Sequence, residues 1–323
     1  MAEAQVQVQF PQLIGVGCGI DVHQNLIVAT VRRSDTDFET RSYDGYTSSL
    51  TALRDWCKSL GVTHIAMEST GIYWKPVFNI LEEDFEIILV NARHVKNVPG
   101  HKTDKKDSAW LSKLLLSGLL KASFIPGEDI RQLRDLVRYR KKVVSQAASE
   151  KNRVIKVLED ANIKLSSVLS KVDGAVGTRI IDDIIAGKTD PGELSCHYHG
   201  KMKASKEDLK KALEGRITKH HQFMLELIKE SISDKEKLIS KLDEQIDVAA
   251  RDYSVDIANL QTIPGVGKDS AISIVSEIGC DMGVFASEHH LSSWAGMSPG
   301  NNESGGKKKV QKPSTATNIS KAL

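Results

Sequence analysis

"LIGVGCGIDVHQNLIVATVRR", residues 13–33, is the stretch on which the fold turns. A buried apolar run leads to Asp21, a turn follows, and LIVATVRR makes a second apolar run. Runs this short read as two β-strands joined by a turn. Outward from them, SLTALRDWCKSLG (49–61) has helical spacing and a glycine stop, and VTHIAMEST (62–70) is a short buried strand carrying Glu68. WKPVFNILEEDF (74–85) reads as a helix and EIILVN (86–91) as another apolar strand. Short apolar strands separated by helices predict an α/β layer fold with some parallel pairing, closed by a helix that begins near Asp104 and ends near Ser123.

Downstream the pattern changes. From Glu128 to Leu169, and again from Ser205 to Tyr253, apolar residues recur every three or four positions amid dense charge. That spacing predicts long, antiparallel, coiled-coil-like helices, with 173–203 as a connector holding a short helix. The segment LQTIPGVGKDSAISIVSEIG (260–279) has the form of a helix-hairpin-helix. Its glycines allow a tight turn whose amides approach a phosphate, with the next helix N-terminus behind them. The resulting domains are 1–125 (α/β), 126–255 (helical) and 256–323 (small and α-helical).

The 323 residues are 40% hydrophobic and 27% charged with a formal charge of +2, so any nucleic-acid surface must come from local clustering. No apolar run reaches membrane-span length, and MAEAQVQVQF lacks the order of a signal peptide. Cys18, Cys57, Cys196 and Cys280 are scattered without a CxxC pair, which argues against a disulfide framework or zinc ribbon. The expected location is cytoplasmic. CHYHG (196–200) is read as a surface connector, and the His220–His221 and His289–His290 pairs as solvated.

Acids stand where acids are locally surprising: Asp21 and Glu68 in apolar strands, and Asp104 with Asp107 in HKTDKKDSAWLSKLL (101–115). Burying a lone carboxylate is costly unless a partner or metal compensates it. Residues three apart share a helix face, so Asp104 and Asp107 can point at one object. Taken singly, each has an ordinary role as turn former, salt-bridge partner or helix cap. Together, in the order strand–Asp, strand–Glu, helix–Asp-x-x-Asp, they suit a phosphoryl-transfer site whose hard oxygens hold Mg²⁺. Such crowding is expected to raise at least one carboxyl pKa when no metal is bound. Lys102, Lys105 and Lys106, in the basic stretch that precedes Asp107, would meet phosphates. Gly265, Gly267 and Lys268 are further candidate nucleic-acid contacts, as are Lys307, Lys308 and Lys309.

GIDVHQNLIVATV, AMESTGIYWKPV, NARHVKNVPGHKTDKKDSAWLSKLL, LQTIPGVGKDSAISIVSEIG and WAGMSPGNNESGGKKK together resemble the DEDD-type insertion-sequence transposases, over nearly the whole chain. The resemblance implies an RNase H-like (RuvC-like) domain, then a coiled coil and a C-terminal transposase domain. It implies DNA recombination acting on element ends and target, guided by an element-encoded RNA, with the acidic tetrad on Asp21, Glu68, Asp104 and Asp107. It also implies a C-terminal hydroxyl nucleophile completing a composite site. A homo-oligomer is expected, because two DNA ends must be held. Two other functions would use the same chain: a Holliday-junction-type nuclease with the four acids alone, and a non-catalytic nucleic-acid-binding remnant.

The tail departs from the family pattern. After ESGGKKK that pattern expects Lys or Arg, Thr or Ser, two variable residues, then Gly-Asn and a Leu-containing helix. This chain has VQKPSTATNISKAL, where the nearest hydroxyl by count is Ser314. A frame that starts at the third base of each codon permits S-x-K-T-x-x-G-N-K-Y-L, the missing motif. The expectation is a frame-shifted, truncated transposase whose proper nucleophile is encoded but not translated.

Overall fold

Residues 13–33 fold as the expected strand pair: β1 (Gly17–Val22) and β2 (Ile27–Arg32), antiparallel, with Gly19 opposite Thr30 and Asp21 opposite Val28. The computed structural model describes residues 12–69, 71–91 and 107–297, with the backbone of 303–304 and 307–308. Its contacts divide the chain into two units, Met1–Ile125 and Pro126–Leu323.

The first unit is built on a five-stranded mixed sheet in the order β3-β2-β1-β4-β5. β3 (Phe38–Tyr43) pairs antiparallel with β2, while β4 (His64–Glu68) and β5 (Glu86–Val90) run parallel to β1. Nothing in the apolar pattern announces β3: FETRSY is an exposed edge strand held by backbone pairing. Alternation sends Cys18, Ile20, Ile65 and Met67 to one face, where α1 (Thr47–Ser59) and α2 (Trp74–Leu81) bury Leu53, Trp56, Phe78 and Leu81 against them. The opposite face holds Ala66 and Val90, covered by Leu111, Leu114 and Leu115 of α3 (Asp107–Leu116). The closing helix stops at Leu116, seven residues before the expected end, and the chain turns at Gly118, whose φ of +64° favours glycine.

The second unit is organised by α4 (Glu128–Asp160, 33 residues) and a return helix packed along it. Between them lie α5 (Leu165–Val168), α6 (Ala175–Ile185), α7 (Pro191–Leu194) and α8 (Lys206–Ala212). The return helix is α9 (Lys219–Ala249, 31 residues). It starts later than Ser205 because Ser205 caps α8 and Thr218 caps α9, so two helices replace the expected one. The expected connector is a packed helical layer, with Ile180, Ile184, Leu194 and Leu209 buried against Leu158 and Leu225. His221 is not solvated: it is 8% exposed, with Nε2 2.9 Å from Asp160 Oδ2. At the other ends of the long helices, α10 (Ser254–Gln261) and α11 (Lys268–Ile278) bury Ile257, Ala271, Ile272 and Val275 against Ile130, Leu133 and Ile246. α12 (Glu288–Trp294) and the short pair β6 (Glu303–Ser304) and β7 (Lys307–Lys308) follow.

Candidate metal centre

Two glycines and an alanine prepare the site. On the α3 face, Gly17 lies beside His64 and Gly19 beside Ala66 across the parallel β1–β4 pair. These small residues let a helix backbone lie directly on the sheet. A Cβ on Gly19 would stand 2.2 Å from the Ser108 carbonyl oxygen and 2.4 Å from the Ser112 amide nitrogen, so no side chain is tolerated while α3 stays in place.

Period-two alternation then carries the acids onto the same face. Asp21 is two residues beyond Gly19, and Glu68 two beyond Ala66, each at the carboxyl end of its strand. Asp107 is the first residue of α3, the helix laid across that face. Open α/β sheets characteristically bind ligands at such strand ends.

The electrostatics fit a cation. Burial is the chief cause that pushes the Asp21 carboxyl above its ordinary value, and the negative charges of Asp107 and Glu68 push it the same way. His23 opposes them, its Nε2 3.2 Å from Asp21 Oδ2, but its side chain is 67% exposed. Asp21, Glu68 and Asp107 share the face without closing to a common coordination sphere. Among the described residues, the one set of three ligand groups within 4.8 Å of each other is Asp183, Cys196 and His197 in the second unit. The Asp183 carboxylate is already engaged by Lys188 at 2.8 Å and His197 at 2.8 Å, which lower its pKa. That cluster is an ion-pair network within the packed connector.

The pattern of acids did not reveal what locates α3. Thr30, opposite Gly19, shares a 2.9 Å hydrogen bond with buried Ser108. Arg32, opposite Gly17 and only 6% exposed, donates from Nε to Ser112 Oγ at 3.0 Å. Its Nη1 donates to the carbonyls of Ser34 and Asp35, both at 3.1 Å, and its plane lies 4.5 Å over the Phe38 ring. A usable signal was present: Ser108 and Ser112 are polar positions four apart on the face that α3 buries.

The remaining candidates divide. Asp104, Lys102, Lys105, Lys106, Lys309 and Ser314 lie outside the described residues, as do the side chains of Lys307 and Lys308. In the second unit, Gly265 adopts φ +89° in the turn between α10 and α11, and Gly267 precedes α11 at φ −82°. A Cβ at either glycine would meet only open space. Lys268 Nζ pairs with Asp247 Oδ1 at 2.7 Å, both side chains being more than half exposed. Sequence reasoning also missed the anchor of α11. Glu277, 5% exposed, accepts a two-pronged contact from Arg138 at 2.8 and 2.7 Å. Arg134 donates to the Ser276 and Glu277 carbonyls at 2.9 and 2.8 Å.

Two family models match the chain. Residues 18–163 match the family model for the IS110-type DEDD transposase, described as Transposase. Residues 257–320 match the one described as Transposase IS116/IS110/IS902 family. No curated protein matches the chain. A mixed sheet followed by long helices fits a RuvC-like transposase. With both family matches in chain order and spanning more than half its length between them, the chain belongs to the IS110 family of DEDD transposases.

Proposed function

We propose that the chain cuts and joins DNA strands at a divalent-metal centre whose ligands are Asp21, Glu68, Asp104 and Asp107. The observation that supports this most directly is Asp21 and Glu68 on one face of adjacent parallel strands, under the helix that Asp107 opens. An all-carboxylate donor set suits Mg²⁺. Bound there, Mg²⁺ would supply Lewis-acid stabilisation of charge on phosphodiester oxygens. The four carboxylates would hold the ion, whose charge would offset their mutual repulsion. Ser314 is the candidate hydroxyl: its oxygen forms a bond to phosphorus, the bond to the leaving strand breaks, and the hydroxyl proton passes to solvent.

The α10–turn–α11 element acts as a helix-hairpin-helix against phosphates. Gly265 needs its positive φ, but Gly267 has an ordinary one and free space around it, so its own fold does not require glycine. An incoming backbone gives a reason for it. The Lys268–Asp247 pair is exposed enough to exchange Asp247 for phosphate at little cost. Lys102, Lys105, Lys106, Lys307, Lys308 and Lys309 add phosphate contacts. A guide RNA, assembly as a homo-oligomer and a cytoplasmic location belong to the same reading. A Mg²⁺-dependent cleavage assay on branched and element-end DNA, with a search for protein–DNA adducts, tests it. Cleavage is expected, with an adduct on Ser314 only at low yield, because the residues around Ser314 depart from the family pattern. Cleavage without an adduct would indicate a junction nuclease, and neither product would overturn the catalytic reading.

A further inference from the structure

Residues 203–219, which pack just beyond the C-terminal end of α4, carry a set of cations that the metal centre and the hairpin do not use. Lys203, Lys206, Lys210, Lys211, Arg216 and Lys219 are all exposed, and none forms an ion pair among the described residues. Lysines nearby are differently placed: Lys151, Lys164, Lys188 and Lys229 each pair with a carboxylate. The acids nearby are too few to neutralise the six. Glu159 is held by Lys164, while Asp208 caps α8 and also faces Lys211. Residues 203–219 hold three carboxylates, Glu207, Asp208 and Glu214, against six cations, so positive charge predominates.

The segment is also held in place. Arg216 N donates to the Ala161 carbonyl at 2.8 Å and Lys164 N to the Ala212 carbonyl at 2.7 Å. Gly215 packs so closely on Ala161 that a Cβ would stand 2.3 Å from its carbonyl oxygen. Buried Leu209, Ala212 and Leu213 fix one side of α8, leaving Lys206 and Lys210, four apart, outward together. Pre-ordered cations bind a polyanion without the entropy of gathering them. Residues 203–219 contain no aromatic side chain, so along them contact is to phosphates rather than to stacked bases, with exposed Phe223 one turn beyond Lys219. A duplex backbone is the polyanion that fits.

We propose that Lys203, Lys206, Lys210, Lys211, Arg216 and Lys219 form a second nucleic-acid contact, which grips the phosphates of duplex DNA without reading sequence. This rests on the reading that the chain handles DNA. The test is equilibrium binding of the full chain to a random-sequence DNA duplex and to an RNA hairpin of equal length, across a salt series. The variant carries Lys206→Gln, Lys210→Gln, Lys211→Gln and Lys219→Gln, all at exposed positions, and its thermal melt checks the fold. Each lost phosphate contact lowers the slope of log K against log salt by about 0.9, so the variant's slope for DNA should be shallower by about 3.6. An unchanged slope in a folded variant would overturn the contact. A loss confined to RNA would overturn the assignment to DNA. A wild-type chain that binds neither would instead defeat the DNA-handling reading on which the inference stands.

Discussion

Asp21 and Glu277 are carboxylates withdrawn from water in different units, and the fold treats them in opposite ways. Glu277 is bracketed by Arg134 and Arg138, with a two-pronged contact to the latter. Its charge is answered within the chain, and the pair fixes α11 on α4. Asp21 is pushed up by burial and by its acidic neighbours, and among the described residues exposed His23 is the counter-charge beside it. A buried charge compensated by protein builds structure, whereas one left short of compensation is available to an external cation.

The largest expected effect is on activity. Asp21→Asn should lower metal-dependent strand cleavage by more than the roughly 10–100-fold that loss of an outer-sphere partner costs, without lowering the melting temperature of the metal-free protein. An Asp21→Asn protein that cleaves normally would remove the distinction between the two carboxylates.

Glu277→Ala should do the converse. Two arginines would lose their buried partner, at a cost of about 3 kcal/mol in denaturant unfolding. Mn²⁺ affinity should stay within about 2-fold of wild type, since the changed residue is not among the ligands. Gly19→Ala belongs with Asp21 in function but acts through packing. Its Cβ would meet the Ser108 and Ser112 backbone, so α3 must shift, at a cost of about 1–3 kcal/mol, carrying Asp107 with it. Calorimetry should therefore show both a lower melting temperature and weaker Mn²⁺ binding.

The smallest effect is a pH dependence. Because the Asp21 carboxyl is raised in the folded state, its contribution to stability is fully present below the ordinary aspartate value of 3.8 and is lost as pH rises through the folded value. Metal-free wild type should lose stability relative to Asp21→Asn as pH rises through that window, and saturating Mg²⁺ should abolish the difference. Parallel stability curves for the two proteins would contradict the assigned shift.

Much of this was legible in the sequence, and the limits are physical. β1, β4 and β5 announce themselves as apolar runs, and Asp21 and Glu68 stand out within them by contrast. β3 stayed hidden because an edge strand of exposed residues satisfies its backbone through β2 and needs no apolar signal. The seat of α3 stayed hidden because Gly19, Thr30, Arg32, Ser108 and Ser112 are distant in sequence and meet only after the sheet has formed. His221 was misread for a similar reason: its burial depends on Asp160, sixty-one residues earlier. Asp104 and Ser314 stand on sequence and family alone.

The most direct test of the central claim is a crystal of the chain with Mn²⁺ in place of Mg²⁺, examined by anomalous diffraction. The account predicts a peak touched by carboxylate oxygens of Asp21, Glu68 and the Asp104–Asp107 turn, absent from Asp21→Asn crystals grown alike. An occupied site elsewhere, with these acids bare at a Mn²⁺ concentration that supports cleavage, would contradict it.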